Sequence, residues 1–249
     1  RWVMAPKDYC LLQLTGEAST DAMSSFGVVD GKLRYIDALT SLVPGLAERL
    51  PPLLGITQPA GRIKAGIPGA GIPLVATTMD AWTGLLGAGA SRDGDAVYLS
   101  GTSEVAAIVS SARVPTPGVI AFPDYEGIVL HAGPTQSGGA SVAWLSQVLG
   151  KTPDEISALA AMSDPSRPAP IFLPHLQGER APIWDIAARG CLAGLDSSMG
   201  APEMARAVLE GVAYSVRLLL ESLETSAAMK VESLRHAGGG ARSDVWCQI

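Results

Sequence analysis

Between Leu74 and Ser103 the sequence places a carboxylate and a hydroxyl-rich turn at the ends of two short apolar runs. Leu74–Ala76 and Ala96–Leu99 each finish in small polar residues, as a buried strand does when it delivers groups to a cleft at its carboxyl end. The first run leads to Asp80, a candidate general base. The second leads to Ser100-Gly101-Thr102-Ser103, a tight turn whose amides and hydroxyls suit phosphate oxygens. A base and an anion cradle are what phosphoryl transfer to an alcohol requires. Plainer roles fit the same residues. Asp80 could be a helix N-cap after a strand, and Ser100–Ser103 an ordinary hairpin entry.

The elements that would position these groups follow from periodicity and turn residues. Lys7–Leu14 reads as a short helix stopped at Thr15-Gly16, and Thr20-Asp21 as a cap or a cleft residue pair. Ile36–Leu42 is a helical piece, Ala60–Ile63 a short strand, and Ala81–Gly89 a helix of small apolar residues. Ala96–Leu99, Val105–Ser110, Val119–Phe122 and Gly127–Ala132 read as strands separated by turns. Gln136–Ser141 opens a helix over Val142–Leu149, an available anion contact. Lys151–Met162 is a second helix, with Thr152, Pro153 and Glu155 in capping-box order. Ile171–Leu173 is a short strand. Pro202 opens a helix running from Glu203 to about Thr225 with an apolar stripe from Val208 to Leu223. Lys230–His236 reads as a strand, turned by Gly238–Ser243 into a final helix. That glycine turn is either a nucleotide contact or simply a tight strand-to-helix connection.

Composition sets the bounds. The chain has 249 residues, 47% of them hydrophobic and 17% charged, with a net charge of −6. It is long enough for one large domain, or one domain and part of another. No apolar run reaches the length of a membrane span, and the start lacks a signal-peptide pattern. The acidic balance, without a dense basic run, argues against a nucleic-acid surface. The three cysteines, Cys10, Cys191 and Cys247, form neither a metal spacing nor a disulfide framework, which points to a reducing, cytoplasmic setting. His131, His175 and His236 have no spacing suited to a metal. Trp184 and Trp246 read as packing residues.

In this order the motifs resemble the FGGY family of carbohydrate kinases, its xylulokinase-like members most closely, over nearly the whole chain. Pro6–Tyr9, Leu14–Glu17 and Thr20–Ala22 are similar to the segment before that family's hinge. Met79-Asp80-Ala81 matches the place of the catalytic aspartate, and Leu99–Ser103 that of the second phosphate loop. Gly178–Pro182, Gly190–Leu195, Glu203–Glu210 and Gly238–Ser243 stand in register with the carboxyl-half signature. The resemblance implies an α/β fold: a ribonuclease-H-like, actin-type ATPase domain with a mixed sheet and flanking helices, plus the tail of a preceding similar domain. Residues 1–90 would end a sugar-binding domain and hinge, and residues 91–249 would form a truncated nucleotide-binding domain.

Carried over by position, Asp80 is the catalytic base. Gly101, Thr102 and Ser103 hold phosphates, Gly139 approaches the nucleotide, and Gly239, Gly240, Ala241 and Asp244 line an adenosine pocket. The implied cofactors are ATP and Mg²⁺, and the implied partner is a small sugar, with no nucleic acid, no membrane and a homodimer left open. The family's opening phosphate hairpin, most sugar-contacting residues and the usual tail have no counterpart, so a fragment is expected, with magnesium ligands partly outside it. The function expected is transfer of the γ-phosphate of ATP to a sugar hydroxyl, on a xylulose-like ketose or polyol. The alternative is a non-catalytic, actin-like nucleotide-binding module. Serine-hydrolase chemistry lacks its Gly-x-Ser-x-Gly elbow.

Overall fold

The computed structural model describes residues 1–249, the side chain of Ala81 excepted, and it divides into two compact units. The first contains residues 1–87 and 122–127. Its elements are short: α1 (Pro6–Thr15), β1 (Thr20–Asp21), α2 (Asp37–Thr40), β2 (Leu53–Leu54), β3 (Pro59–Arg62), β4 (Pro73–Val75) and α3 (Asp80–Gly87). β1 pairs parallel with β2, and β3 antiparallel with β4. Leu11, Ala60 and Ala76 form a small core with Leu54 and Leu74 against them. Trp82 is buried with its ring 6.4 Å from Phe122 and 6.5 Å from Tyr125.

The Thr20–Asp21 pair does not cap a helix. It lies on β1, where the Thr20 hydroxyl donates to Asp8 and Asp21 accepts the amide of Ser24. Lys7 Nζ stands 2.5 Å from Asp8 and 2.8 Å from Asp21. Burying two carboxylates is tolerable here because one cation and local donors satisfy both.

The second unit contains residues 88–121 and 128–249. Its sheet has five strands, β5 (Ala96–Ser100), β6 (Glu104–Ser110), β7 (Ile120–Ala121), β8 (Val129–Pro134) and β11 (Arg235–Gly238), in the order β11-β5-β6-β8-β7. All pairings are antiparallel except β11 with β5, which is parallel, so the sheet is mixed as expected. A separate antiparallel ribbon joins β9 (Ile171–Leu173) to β10 (Cys191–Ala193), and four helices complete the unit: α4 (Gly139–Leu149), α5 (Pro153–Met162), α6 (Ala201–Ala227) and α7 (Asp244–Gln248).

α6 is the element on which this unit is packed. Its stripe is fully buried at Val208, Leu209, Val212, Leu219 and Leu223. One end joins Val142, Leu145, Ile156 and Phe172, and the other joins Ala96, Ala106, Ile108 and Ala181. Each such side chain contributes about 1.5–3 kcal/mol on burial, which outweighs the weak helix propensity of the Val and Ser positions. α5 begins as its sequence dictates: Thr152 Oγ1 accepts the Glu155 amide and Glu155 Oε2 accepts the Thr152 amide.

Two expected strands are shorter than their apolar runs suggest. Only Ile120–Ala121 pair within Val119–Phe122. Of Lys230–His236, the first part is a turn held to the end of α6, with Lys230 Nζ 2.5 Å from Glu224 and the Val231 amide bonded to the same carboxylate.

His131 supplies a pH handle on this core. Its ring is 0% exposed, with Nε2 3.0 Å from the Ala112 carbonyl and Nδ1 2.8 Å from Ser226 Oγ. Burial holds its pKa below the ordinary histidine value. The unfolded chain therefore takes up the proton first, and stability falls as pH drops through about 6.5. The urea midpoint is expected to fall between about pH 7.5 and about 5.5, and His131→Gln, neutral throughout, is expected to flatten that slope. Equal slopes in the two proteins would contradict the assignment.

Candidate functional site

In the second unit, three backbone segments converge at the carboxyl end of β5. The first is the loop Gly101–Ser103, which joins β5 to β6. The second is the turn that opens α4. The amides of Gly138 and Ala140 donate to the Thr102 carbonyl, and the Gly139 amide donates to the Gly101 carbonyl at 2.9 Å. The third is Gly238–Gly240, carried there by the parallel pairing of Gly238 with Ser100.

Several of these contacts leave no room for a side chain. A Cβ on Gly139 would stand 2.6 Å from the Gly101 carbonyl oxygen, and one on Gly240 would stand 2.1 Å from Ser100 Oγ. Neither gap admits a side chain without moving backbone or Ser100.

These segments wall a cavity of about 630 Å³, completed by α5, α6 and α7. Val142, Ala143, Leu209, Val245 and Trp246 give it an apolar side, while Asp154, Ser157, Arg242, Ser243 and Asp244 give it a polar one. Trp246 is held by its indole N–H on the Leu209 carbonyl, and Ser243 by a 3.1 Å hydroxyl contact with Ser157. An apolar wall, glycine backbone, hydroxyls and charges together suit a group that is part aromatic ring and part polyol or phosphate.

The expected site residues do not all fall on that wall. Gly101, Gly139, Gly239, Gly240 and Asp244 line the cavity. Thr102, Ser103 and Ala241 belong to the same loops but are not among its lining residues. The Gly101 amide is itself engaged with the Ser103 carbonyl at 3.2 Å. Similarly, the amides that open α4 are taken up by the loop, so the glycine turn acts here as a clasp for it. Asp80 belongs to the other unit, where it is the first residue of α3 and its side chain is exposed; Ala81, beside it, lies outside the described side chains. Sequence reasoning missed the contributions of α5 and α6, and read Trp246 as packing alone. An indole beside a glycine turn was the signal available.

A family model for the FGGY family of carbohydrate kinases, C-terminal domain, matches residues 96–249. The xylulose kinase of Escherichia coli is 29% identical, covering 99% of this chain and 53% of that protein. The gluconokinase of Bacillus subtilis is 28% identical, covering 98% of this chain and 52% of that protein. Among solved structures, a xyloylose kinase from Brucella ovis superposes with a TM-score of 0.89 at 30% identity, over 99% of this chain and 53% of that one. The chain therefore belongs to the FGGY family of carbohydrate kinases, and its α/β fold with a mixed sheet is the fold of those relatives. It spans about half the length of the relatives it matches.

The close approach at Gly139 is directly testable. Gly139→Ala forces the Gly101 carbonyl away from α4 and is expected to cost about 1–3 kcal/mol in urea denaturation. A change below about 0.3 kcal/mol would show that the loop yields freely.

Proposed function

We propose that this chain carries the nucleotide-binding part of an ATP-dependent carbohydrate kinase. In this reading residues 1–90 end a sugar-binding domain and hinge, and residues 91–249 form the nucleotide-binding domain. The acceptor is a sugar hydroxyl, on a xylulose-like ketose or a polyol. The observation that carries the reading is the convergence of Gly101, Gly139, Gly239 and Gly240 on one cavity with an apolar wall. ATP fits the groups present: bare backbone where a ring or phosphate must come close, an indole for the base, and unpartnered Ser100 Oγ beside the loop.

Each residue then has a task. Asp80 takes the proton from the attacking sugar hydroxyl. Gly101, Thr102 and Ser103 hold the phosphates, and Gly139 fixes their loop. Gly239, Gly240, Ala241 and Asp244 border the adenosine. Bound ATP supplies the transferred phosphoryl group and ADP as the leaving group. Mg²⁺ would enter with ATP and offset the charge of its phosphates; among the described residues no cluster of three or more His, Cys, Asp or Glu is disposed to hold a metal ion.

The test uses the complete gene product with pentuloses, polyols and hexoses in an ADP-release assay. Asp80→Ala is expected to lower sugar-dependent turnover by about 10²–10⁴-fold while leaving ATP affinity unchanged. Undiminished turnover in that variant refutes the base. ATP binding without ADP release on any acceptor favours the non-catalytic module instead.

A further inference from the structure

Four carboxyl side chains are buried among the described residues: Asp8, Asp21, Glu104 and Glu179. Three of them are met. Asp8 and Asp21 share Lys7. Glu179 accepts the amides of Gln136 and Arg180 and faces His175 Nδ1 at 2.8 Å. Glu104 differs: it is 0% exposed, and neither of its carboxyl oxygens has a hydrogen-bond partner. A carboxylate held that way is costly, and nothing in the packing of β6 calls for one.

Its position explains where the cost is spent. Glu104 follows Ser103 directly and pairs with Ser100 across β5 and β6, so its carboxyl lies at the base of the Gly101–Ser103 loop. A Cβ on Gly138 would come within 1.9 Å of Glu104 Oε1, so the carboxyl also abuts the turn that opens α4. The groups facing it are the Tyr98 and Ser100 hydroxyls from β5 and the Gly139 amide from α4. Behind Tyr98 stand His236 of β11, stacked at 4.5 Å, and Cys247 of α7. Among the described residues no lysine or arginine makes an ion pair with Glu104.

We propose that Glu104 is a positioning residue whose proton sets how tightly the Gly101–Ser103 loop and the start of α4 hold the nucleotide's phosphates. This rests on the nucleotide reading above. Burial pushes the carboxyl up to about 7, so both protonation states are populated near neutral pH. The neutral form leaves the unpartnered Ser100 hydroxyl and the positive end of α4 to the phosphates. The charged form repels the phosphates and draws the Ser100 hydroxyl to itself. Linkage is reciprocal: bound phosphates raise the carboxyl's pKa further, so binding takes up a proton.

The test is isothermal titration of the chain and of Glu104→Gln with ATP and adenosine, at excess Mg²⁺, in buffers of different ionisation enthalpy. Between about pH 6.5 and about 8.5 the unmodified chain is expected to lose about tenfold in ATP affinity, with proton uptake, while adenosine affinity stays flat. Glu104→Gln is expected to keep the low-pH affinity throughout. Titration of the terminal phosphate and of His236 is common to both proteins and cancels in the comparison. ATP binding with the same pH profile in both proteins overturns the proposal and leaves the nucleotide reading standing. No ATP binding by either protein at any pH overturns the nucleotide reading, and this proposal with it. Should the variant not fold, the unmodified chain decides: a ratio of ATP to adenosine affinity constant from about pH 7 to about 8.5 is the refuting result.

Discussion

The second unit depends on one close contact, that of the loop after β5 with the glycine turn that opens α4. The carbonyls of Gly101 and Thr102 accept three consecutive amides, those of Gly138, Gly139 and Ala140. Those amides are helix-start donors with no partner within the helix, and the loop carbonyls supply one for each. Each set satisfies the other. The contact is possible only without a Cβ at Gly139, and the same crowding at Ser100 demands glycine at Gly240. Three glycine segments from distant parts of the sequence are thereby drawn to one strand end.

What holds those segments in place lies behind them. α6 crosses the unit and buries one stripe against the sheet and another against α4, α5 and β9. Gly211 lets it approach β9 so closely that a Cβ there would meet the Phe172 carbonyl oxygen at 2.3 Å. Leu209 contributes to both tasks: its side chain is in the core and at the cavity wall, and its carbonyl receives the Trp246 indole. Packing and site are therefore one construction, and a cavity in the core near Leu209 would also loosen the wall that faces the ligand.

The sequence was most legible where a single local rule governs. The capping box at Thr152, the α6 stripe and the β5, β6 and β8 strands each follow from spacing within one segment. It was least legible where partners are remote. Lys230–Leu234 has strand-like composition, but Glu224 at the end of α6 captures Lys230 and Val231 first. The ribbon of β9 and β10 joins residues some twenty positions apart, through a connection with no hairpin signal. Of the site, the glycines were readable because motif order marked them. The walls from α5 and α6 were not, because a cavity face on a helix looks like any other part of its apolar stripe.

Glu104 shows how consistency across levels can locate function. Elsewhere in this chain a buried acid comes with its compensation, a lysine for Asp8 and Asp21, amides and an imidazole for Glu179. Glu104 sits first in a strand whose other buried residues include Ala106, Ala107, Ile108 and Val109, and an apolar residue would complete that pattern at lower cost. Its neighbours accommodate it nonetheless: Gly138 leaves room for one carboxyl oxygen, and Ser100 and Tyr98 of β5 stand beside the group. A local rule broken while the surroundings accommodate the break is the pattern of a working residue rather than a packing defect. The place where it is broken, directly beneath the loop that the rest of the unit is built to hold, makes the protonation of that acid part of how the loop works.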